Sequence, residues 1–428
     1  MTGDAKVRLL ARLRETVQPE NGQVPAFVIA SPDVYDLEME RIFQRVWLFV
    51  AHESEIPAPE DFVTRQLGPL PVIVSRGKDG GLRVLLNMCR HRGMRVVRSD
   101  QGSASHYRCP YHGFTYACDG RLTGIPYQKD AYADVLDRSA MGLMQARVES
   151  YKGLIFATWN PQPEPLAEYL GDMKWYLDIL VGRAEMEVIG PPQRWVVPAA
   201  WKLPAENFAS DAFHTATTHA SIAELYKTNP DFGKIGFHVD AGNGHGLGIG
   251  TQQEGKPYPR ELETEIAQHL SADQQAVFGQ VRNFHGNVFP NLSFLIPTLP
   301  PFEGQMVTST TIRLWQPLAP DKIEIYSWWL VEKNAPAWWK DLGRTSYIQT
   351  FGTSGMFEQD DTENWEAQTR NATALLGLSG EFTLNLQMGS HRQPIADFPG
   401  PGAVYDIKYM EANSRAFYSR WLNLLLTE

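Results

Sequence analysis

The chain has 428 residues, 43% of them hydrophobic and 11% aromatic, which is material for about two or three domain cores. Acidic residues outnumber basic ones, 49 to 39; the formal charge of -10 gives no general attraction to phosphate backbones or anionic lipid and disfavours nucleic-acid binding. Three cysteines, Cys89, Cys109 and Cys118, are too few and too clustered for the disulfide framework of a secreted domain.

The first residues mix charges into a helical pattern and lack the continuous apolar core of a secretory signal. No run approaches the roughly 18 apolar residues of a membrane span, so the expectation is a soluble, cytoplasmic protein. Residues 1–46 read as a helical segment, most clearly where Tyr35, Met39, Ile42, Phe43 and Val46 recur at three- and four-residue steps. Across residues 47–159 short β-like runs (71–75, 82–87, 153–159) alternate with Gly- and Pro-containing turns, as in a small all-β domain. Residues 160–165 place three prolines within six positions and read as a linker. In the remainder, residues 160–428, a helical pattern over 261–278 precedes strand-like runs at 287–296, 306–315 and 323–331, and a helical C-terminal region follows. Strands first and helices afterwards predict an α+β domain with an antiparallel sheet covered on one face by helices.

Two loops each offer one thiolate and one imidazole: Cys89-Arg90-His91, then, after seventeen residues, Cys109-Pro110-Tyr111-His112. A tetrahedral zinc site of two Cys and two His usually pairs Cys with Cys and His with His. A Rieske [2Fe-2S] centre needs one of each from two facing loops, because one iron takes two Cys and the other two His. Glycine follows each histidine closely, at Gly93 and Gly113, where a tight loop turns without a Cβ in the way. Cys118 reads as a small buried hydrophobe. His106 lacks a partner Cys at ligand spacing and reads as structural or exposed.

This pattern, with His-Arg-Gly-Met and Tyr-His-Gly around it, resembles the Rieske domain of ring-hydroxylating oxygenase α subunits of the naphthalene and biphenyl dioxygenase type. The similarity spans essentially the whole chain. It implies an all-β Rieske domain inserted near the N-terminus and a C-terminal catalytic domain of helix-grip type. One departure is Phe114, where these families more often have Trp.

The second dense cluster is 205–221. Asn207, Asp211 and His214 stand four and three residues apart, on one face of a helix, whereas His219, five beyond His214, does not. Both imidazoles reach one ion only if the helix bulges or ends between them, and the β-branched residues of 215–218 favour such a break. An Fe(II) oxygenase adds one carboxylate to two imidazoles and leaves the opposite face open. The run 357–365 supplies candidates, of which the resemblance assigns Asp361, with Asp360 the alternative. The resemblance also has Asp211 hydrogen-bonding His214 and, across a subunit boundary, the Rieske ligand His112; such a carboxylate fixes the tautomer of a ligating imidazole. Asn207 matches a family residue near the iron that is not a firm ligand.

Phe208, Phe213, Phe351 and Phe357 flank the proposed ligands in sequence; the resemblance places Phe208 and Phe351 in the substrate pocket, with 287–296 and 306–315 as a possible further wall. A carboxylated substrate calls for a pocket cation, for which Arg282 and Arg313 are candidates. The implied activity is cis-dihydroxylation of an aromatic ring with O2; monooxygenation or demethylation by the same metals, and a Rieske electron carrier without oxygenase activity, are the alternatives. The sequence shows no Gly-x-Gly-x-x-Gly run of the dinucleotide type, so NAD(P)H is expected on a separate reductase, with a ferredoxin, a small β subunit and an α3β3 assembly implied by the resemblance.

Overall fold

The computed structural model describes residues 3–226, 234–251, 258–301, 304–378 and 381–427. The chain falls into two compact units: Phe43–Leu166, and Met1–Ile42 together with Ala167–Glu428.

The first unit is built from three small antiparallel sheets. Leu154–Thr158 lies between Arg147–Tyr151 and Leu48–His52; Leu82–Leu86, Leu70–Arg76, Asp61–Leu67 and Gln101–Ser103 form a second sheet; His106–Arg108, Thr115–Ala117 and Leu122–Gly124 form a third. The β-branched run Val72, Ile73, Val74 is fully buried, as central-strand residues must be. Phe62, Ile73, Leu85, Tyr107, Tyr116 and Leu143 share one core with Cys89, Cys109 and Cys118, so Cys118 packs as a small hydrophobe. Asn87, buried, pins the first cysteine loop: its Oδ1 accepts from the amides of Val96 and Val97, each at 2.9 Å, and its Nδ2 donates to Val97 O at 2.8 Å.

The N-terminal residues form helices Gly3–Thr16, Phe27–Ala30 and Pro32–Arg41. The last of these stops at Arg41, so the expected helical run is overextended: Ile42, Phe43 and Val46 are buried by packing beyond the helix end. Glu38 on this helix is wholly buried and accepts hydrogen bonds from Trp201 Nε1 (2.8 Å), Lys202 Nζ (2.5 Å) and Trp421 Nε1 (2.7 Å). One carboxylate with three donors, one of them cationic, is a satisfied buried charge that fastens the N-terminal segment to residues far along the chain.

The second unit holds a ten-stranded antiparallel sheet. Its strands are β1 (Met186–Val188), β2 (Gln193–Val197), β3 (Gly236–Asp240), β4 (Gly246–Thr251), β5 (Val281–Val288), β6 (Leu292–Leu299), β7 (Val307–Thr308), β8 (Thr310–Ala319), β9 (Lys322–Glu332) and β10 (Ala403–Tyr405). The order is β1-β9-β8-β6-β5-β4-β3-β10, with β2 also on β9 and β7 on β6. Helices α1 (Lys202–Ser210) and α5 (Ala412–Leu426) pack on the β3–β6 part of the sheet. The architecture is the α+β arrangement expected from strands followed by helices.

Three expected elements are subdivided. Residues 287–296 are not one strand: β5 and β6 form a hairpin that turns at Phe289-Pro290-Asn291. Burial is continuous from Gly286 to Thr298, through the turn itself, so no exposed polar stretch marks the turn in the sequence. Residues 306–315 divide into β7 and the start of β8. Residues 261–278 hold helices Glu263–His269 and Ala272–Gln280, the second opened by a Ser271–Gln274 capping box.

Candidate metal centres and catalytic cavity

The two Cys/His loops repeat one backbone pattern. Cys89 N–H donates to Met94 O and Gly93 N–H returns to Cys89 O; Cys109 N–H donates to Phe114 O and Gly113 N–H returns to Cys109 O. The turn needs a left-handed residue four positions after each cysteine, and Gly93 (φ 73°) and Gly113 (φ 74°) supply it. Both thiols are buried and free, and the His91 and His112 ring centroids lie 4.6 Å apart. His91 stacks on Phe114 at 4.8 Å, so the phenyl ring that replaces the family's more usual Trp covers the imidazole. His91 Nδ1 is buried with no hydrogen-bond partner among the described residues, and burial, with His112 and Arg92 nearby, keeps its pKa low. A neutral imidazole with an orphaned nitrogen beside two free thiols is the donor set that a [2Fe-2S] cluster takes. Tyr116 Oη lies 3.3 Å from Cys89 Sγ and accepts from Arg90 N at 3.0 Å. His106 is exposed and bonds only its neighbour Ser105 among the contacts described.

In the second unit the expected single helical face is interrupted. Helix α1 ends at Ser210, and Asp211 adopts an extended conformation (φ -82°, ψ 90°). Asp211 Oδ1 accepts from His214 N at 3.1 Å, a side-chain bond that closes the turn between α1 and the next helical segment. The break was expected within 215–218; instead Thr215–Thr218 is itself helical (α2), and a second kink falls at His219 (φ -100°, ψ 24°), before α3 (Ala220–Leu225). The two breaks turn both imidazoles toward Asp361, which projects from helix α4 (Met356–Leu375). His214 Nε2 and His219 Nε2 each lie 3.3 Å from Asp361 Oδ1, and one ligand atom from each of the three residues lies within 4.8 Å of the others.

Each imidazole is held from behind by another carboxylate. Asp211 Oδ2 is 3.3 Å from His214 Nδ1, and Asp360 Oδ2 is 3.2 Å from His219 Nδ1. Asp361 thus stands between the imidazoles, while Asp360 faces the far nitrogen of His219. Burial would raise the Asp361 pKa, but the hydrogen bonds and charge of both histidines hold it far below the usual carboxylate range. Burial opposes protonation of His214, yet Asp211 and Asp361 together push its pKa up to about 10, so a cation arriving at Nε2 displaces a proton. Asn207 Nδ2 lies 3.4 Å from both Asp211 Oδ2 and His214 Nδ1.

The triad opens on a cavity. Phe208, Ala212, Ile222, Ala223, Leu295, Leu299, Phe351 and Phe357 provide its apolar surface, and Phe351 stacks on Phe357 at 4.8 Å. Asn207, Asp211, Arg282, Asn283, His285 and Lys408 also face it. Gly248 on β4 makes the position of His285 possible, since a Cβ there would stand 2.2 Å from His285 Nε2. Phe213 lies apart: it is exposed and packs edge-on against Tyr409. The further wall comes from β5 and β6, and among the described lining residues none belongs to 306–315. Arg313 does not line the cavity; it is buried against Glu358 Oε2 at 2.6 Å and donates to Phe351 O at 2.8 Å.

Residues 46–152 match the Rieske [2Fe-2S] domain family, and residues 166–426 match the ring hydroxylating alpha subunit catalytic domain. The second match alone covers more than half of the chain. The chain belongs to the ring-hydroxylating α-subunit family. As an α subunit it is 35% identical to the biphenyl dioxygenase subunit alpha of Metapseudomonas furukawaii, over 96% of this chain and 93% of that one. The same identity and shares hold for an N,N-dimethyl phenylurea N-demethylase subunit alpha from a Sphingobium species. Among solved structures, a naphthalene 1,2-dioxygenase from a Rhodococcus species, bound to indole, aligns with a TM-score of 0.93 and 43% identity, covering 100% of this chain and 99% of that one.

An α subunit of this family is the oxygenase component of a multicomponent enzyme, with a β subunit and electron-transfer partners, and carries a Rieske [2Fe-2S] cluster and a mononuclear iron. The donor sets described above fit both. No helix among the described residues is long and apolar enough to cross a membrane. Sequence reasoning missed Asn283, His285 and Lys408 on the cavity wall. Asn283 and His285 were concealed with the unrecognised hairpin, and a lone lysine near the C-terminus carries no spacing signal.

Proposed function

We propose that this α subunit uses O2 to cis-dihydroxylate an aromatic ring, with the iron held by His214, His219 and Asp361 and the cluster by Cys89, His91, Cys109 and His112. The carrying observation is the 2-His-1-carboxylate triad at the wall of a largely apolar cavity, in a chain that also presents the paired Cys/His loops. When bound, the cluster delivers electrons one at a time and the iron activates O2. The balance is one ring, one O2, two electrons and two protons, giving one cis-dihydrodiol.

The chain's own residues do the rest. Asp211 and Asp360 fix the ring orientation and tautomer of His214 and His219 and leave Nε2 of each for the metal. Phe208, Phe351 and Phe357 hold the flat substrate by dispersion and exclude water from the reacting edge. Asn207 is placed to hold the Asp211 and His214 pair. Asp211 is only partly buried and His112 is exposed, which supports a route from the His112 of one copy through Asp211 to His214 of the next within an α3β3 assembly. A ferredoxin and an NAD(P)H reductase complete the scheme.

Oxidation of naphthalene and biphenyl under 18O2 with such electron carriers tests the reading. Two labelled atoms per product are expected; one labelled atom assigns monooxygenation instead. Asp211→Ala, assayed with both metal centres loaded under excess Fe(II), should lose most turnover, and full activity would refute the proposed route.

A further inference from the structure

One part of the cavity wall is unlike a site for a bare hydrocarbon. Lys408, in the segment after β10, is 1% exposed and faces the cavity. Its Nζ donates to Asn283 Oδ1 at 3.0 Å, and no carboxylate pairs with it among the described residues. The wall's own acids are engaged elsewhere, Asp211 by His214 and Asp361 by both imidazoles. The titratable neighbours of Lys408 are His238 on β3 and His285 on β5, each kept neutral by burial, and Arg282 adds a second cation to the same wall. Burial pushes the Lys408 pKa down to about 7, with no countercharge among the described residues to oppose it. Gly250 keeps this arrangement open, since a Cβ there would stand 2.2 Å from Asn283 Oδ1.

Holding the buried Lys408 amine in its charged form is costly where its side-chain partner among the described residues is an amide, and an anion entering the cavity relieves that cost. We propose that the cavity accepts aromatic substrates bearing a carboxylate, which Lys408 binds while the ring lies on the apolar wall. The proposal rests on the ring-oxygenation reading and narrows its substrate class to aryl carboxylates. Lys408 then acts as a specificity residue: the anchored carboxylate decides which ring edge faces the triad.

The test is equilibrium binding of 2-naphthoate and of 2-methylnaphthalene, its uncharged counterpart in shape, to the assembled holoenzyme at neutral pH. A charge-assisted hydrogen bond should make naphthoate bind about 10- to 100-fold more tightly. Lys408→Met should erase that preference and Lys408→Arg should keep part of it; should the Met variant not fold, Lys408→Gln carries the same expectation. Equal binding by the wild-type enzyme, or a preference that survives Lys408→Met, overturns the proposal. Oxygenation is scored separately. Dihydroxylation of methylnaphthalene without a carboxylate preference refutes this inference alone, whereas a Lys408-dependent preference without oxygenation of either compound refutes the proposed reaction and leaves the binding assignment standing.

Discussion

Asp360→Ala removes the carboxylate 3.2 Å from His219 Nδ1 and leaves the donor atoms of His214, His219 and Asp361 in place. Loss of an outer carboxylate behind a ligating histidine typically weakens metal binding about 10- to 100-fold, or about 1.4 to 2.8 kcal/mol. The Asp360 side chain is 34% exposed, so solvent screening puts the expected loss near tenfold. Asp361→Ala, which deletes a buried donor itself, should be far more damaging. Competitive Fe(II) titration of chelated protein measures both, and an unchanged visible spectrum of the cluster reports that the first unit is intact. A wild-type affinity for Asp360→Ala would refute the second-carboxylate argument. An affinity as poor as that of Asp361→Ala would mean that Asp360 is itself the ligand.

Arg313→Met should destabilise the fold by about 3 to 5 kcal/mol in urea unfolding, because it strands the buried Glu358 carboxylate one turn before Asp361; a loss under about 1 kcal/mol contradicts a buried pair. Tyr116→Phe removes an O–H 3.3 Å from Cys89 Sγ, a bond that favours the more negative, reduced cluster. A net contribution of about 1 kcal/mol corresponds to about 40 mV for one electron, so the cluster potential should fall by that amount in voltammetry, and an unchanged value refutes the bond. Lys408 has a native pKa of about 7 against an ordinary 10.5, so the unfolded chain binds more protons between those values and native stability gains as pH rises through them. Lys408→Met should lack this gain; denaturation midpoints of the two proteins that keep a constant separation from pH 7 to 10 would be inconsistent with it.

The cluster loops were legible because every element of their chemistry is local: a thiol, an imidazole and a left-handed glycine within five residues, twice. The iron site was legible in part. His214 and His219 announce themselves by type, but Asp361 lies some 140 residues away, and its companion Asp360 is told apart from it only by the side of His219 that each faces. The helix break was misplaced because β-branching in 215–218 is a weak local preference, whereas the Asp211 side chain forms a specific bond to His214 N. The cavity wall was the least legible part. The hairpin turn lies inside a stretch buried from Gly286 to Thr298 and carries no polar mark, and the lysine that distinguishes the pocket chemically follows β10, whose pairing with β3 brings it to Asn283 on β5.

Glu38 has a consequence for synthesis. Its three donors come from Trp201, Lys202 and Trp421, so during translation the helix Pro32–Arg41 emerges long before the groups that neutralise it. The residues of Phe43–Leu166 are contiguous and can close on themselves first, while the two separated stretches that make up the catalytic unit wait for the last helix. The full set of bonds that satisfies the buried Glu38 carboxylate therefore forms only after Trp421 has been synthesised, which ties closure of the catalytic unit around its N-terminal helix to the helix Ala412–Leu426.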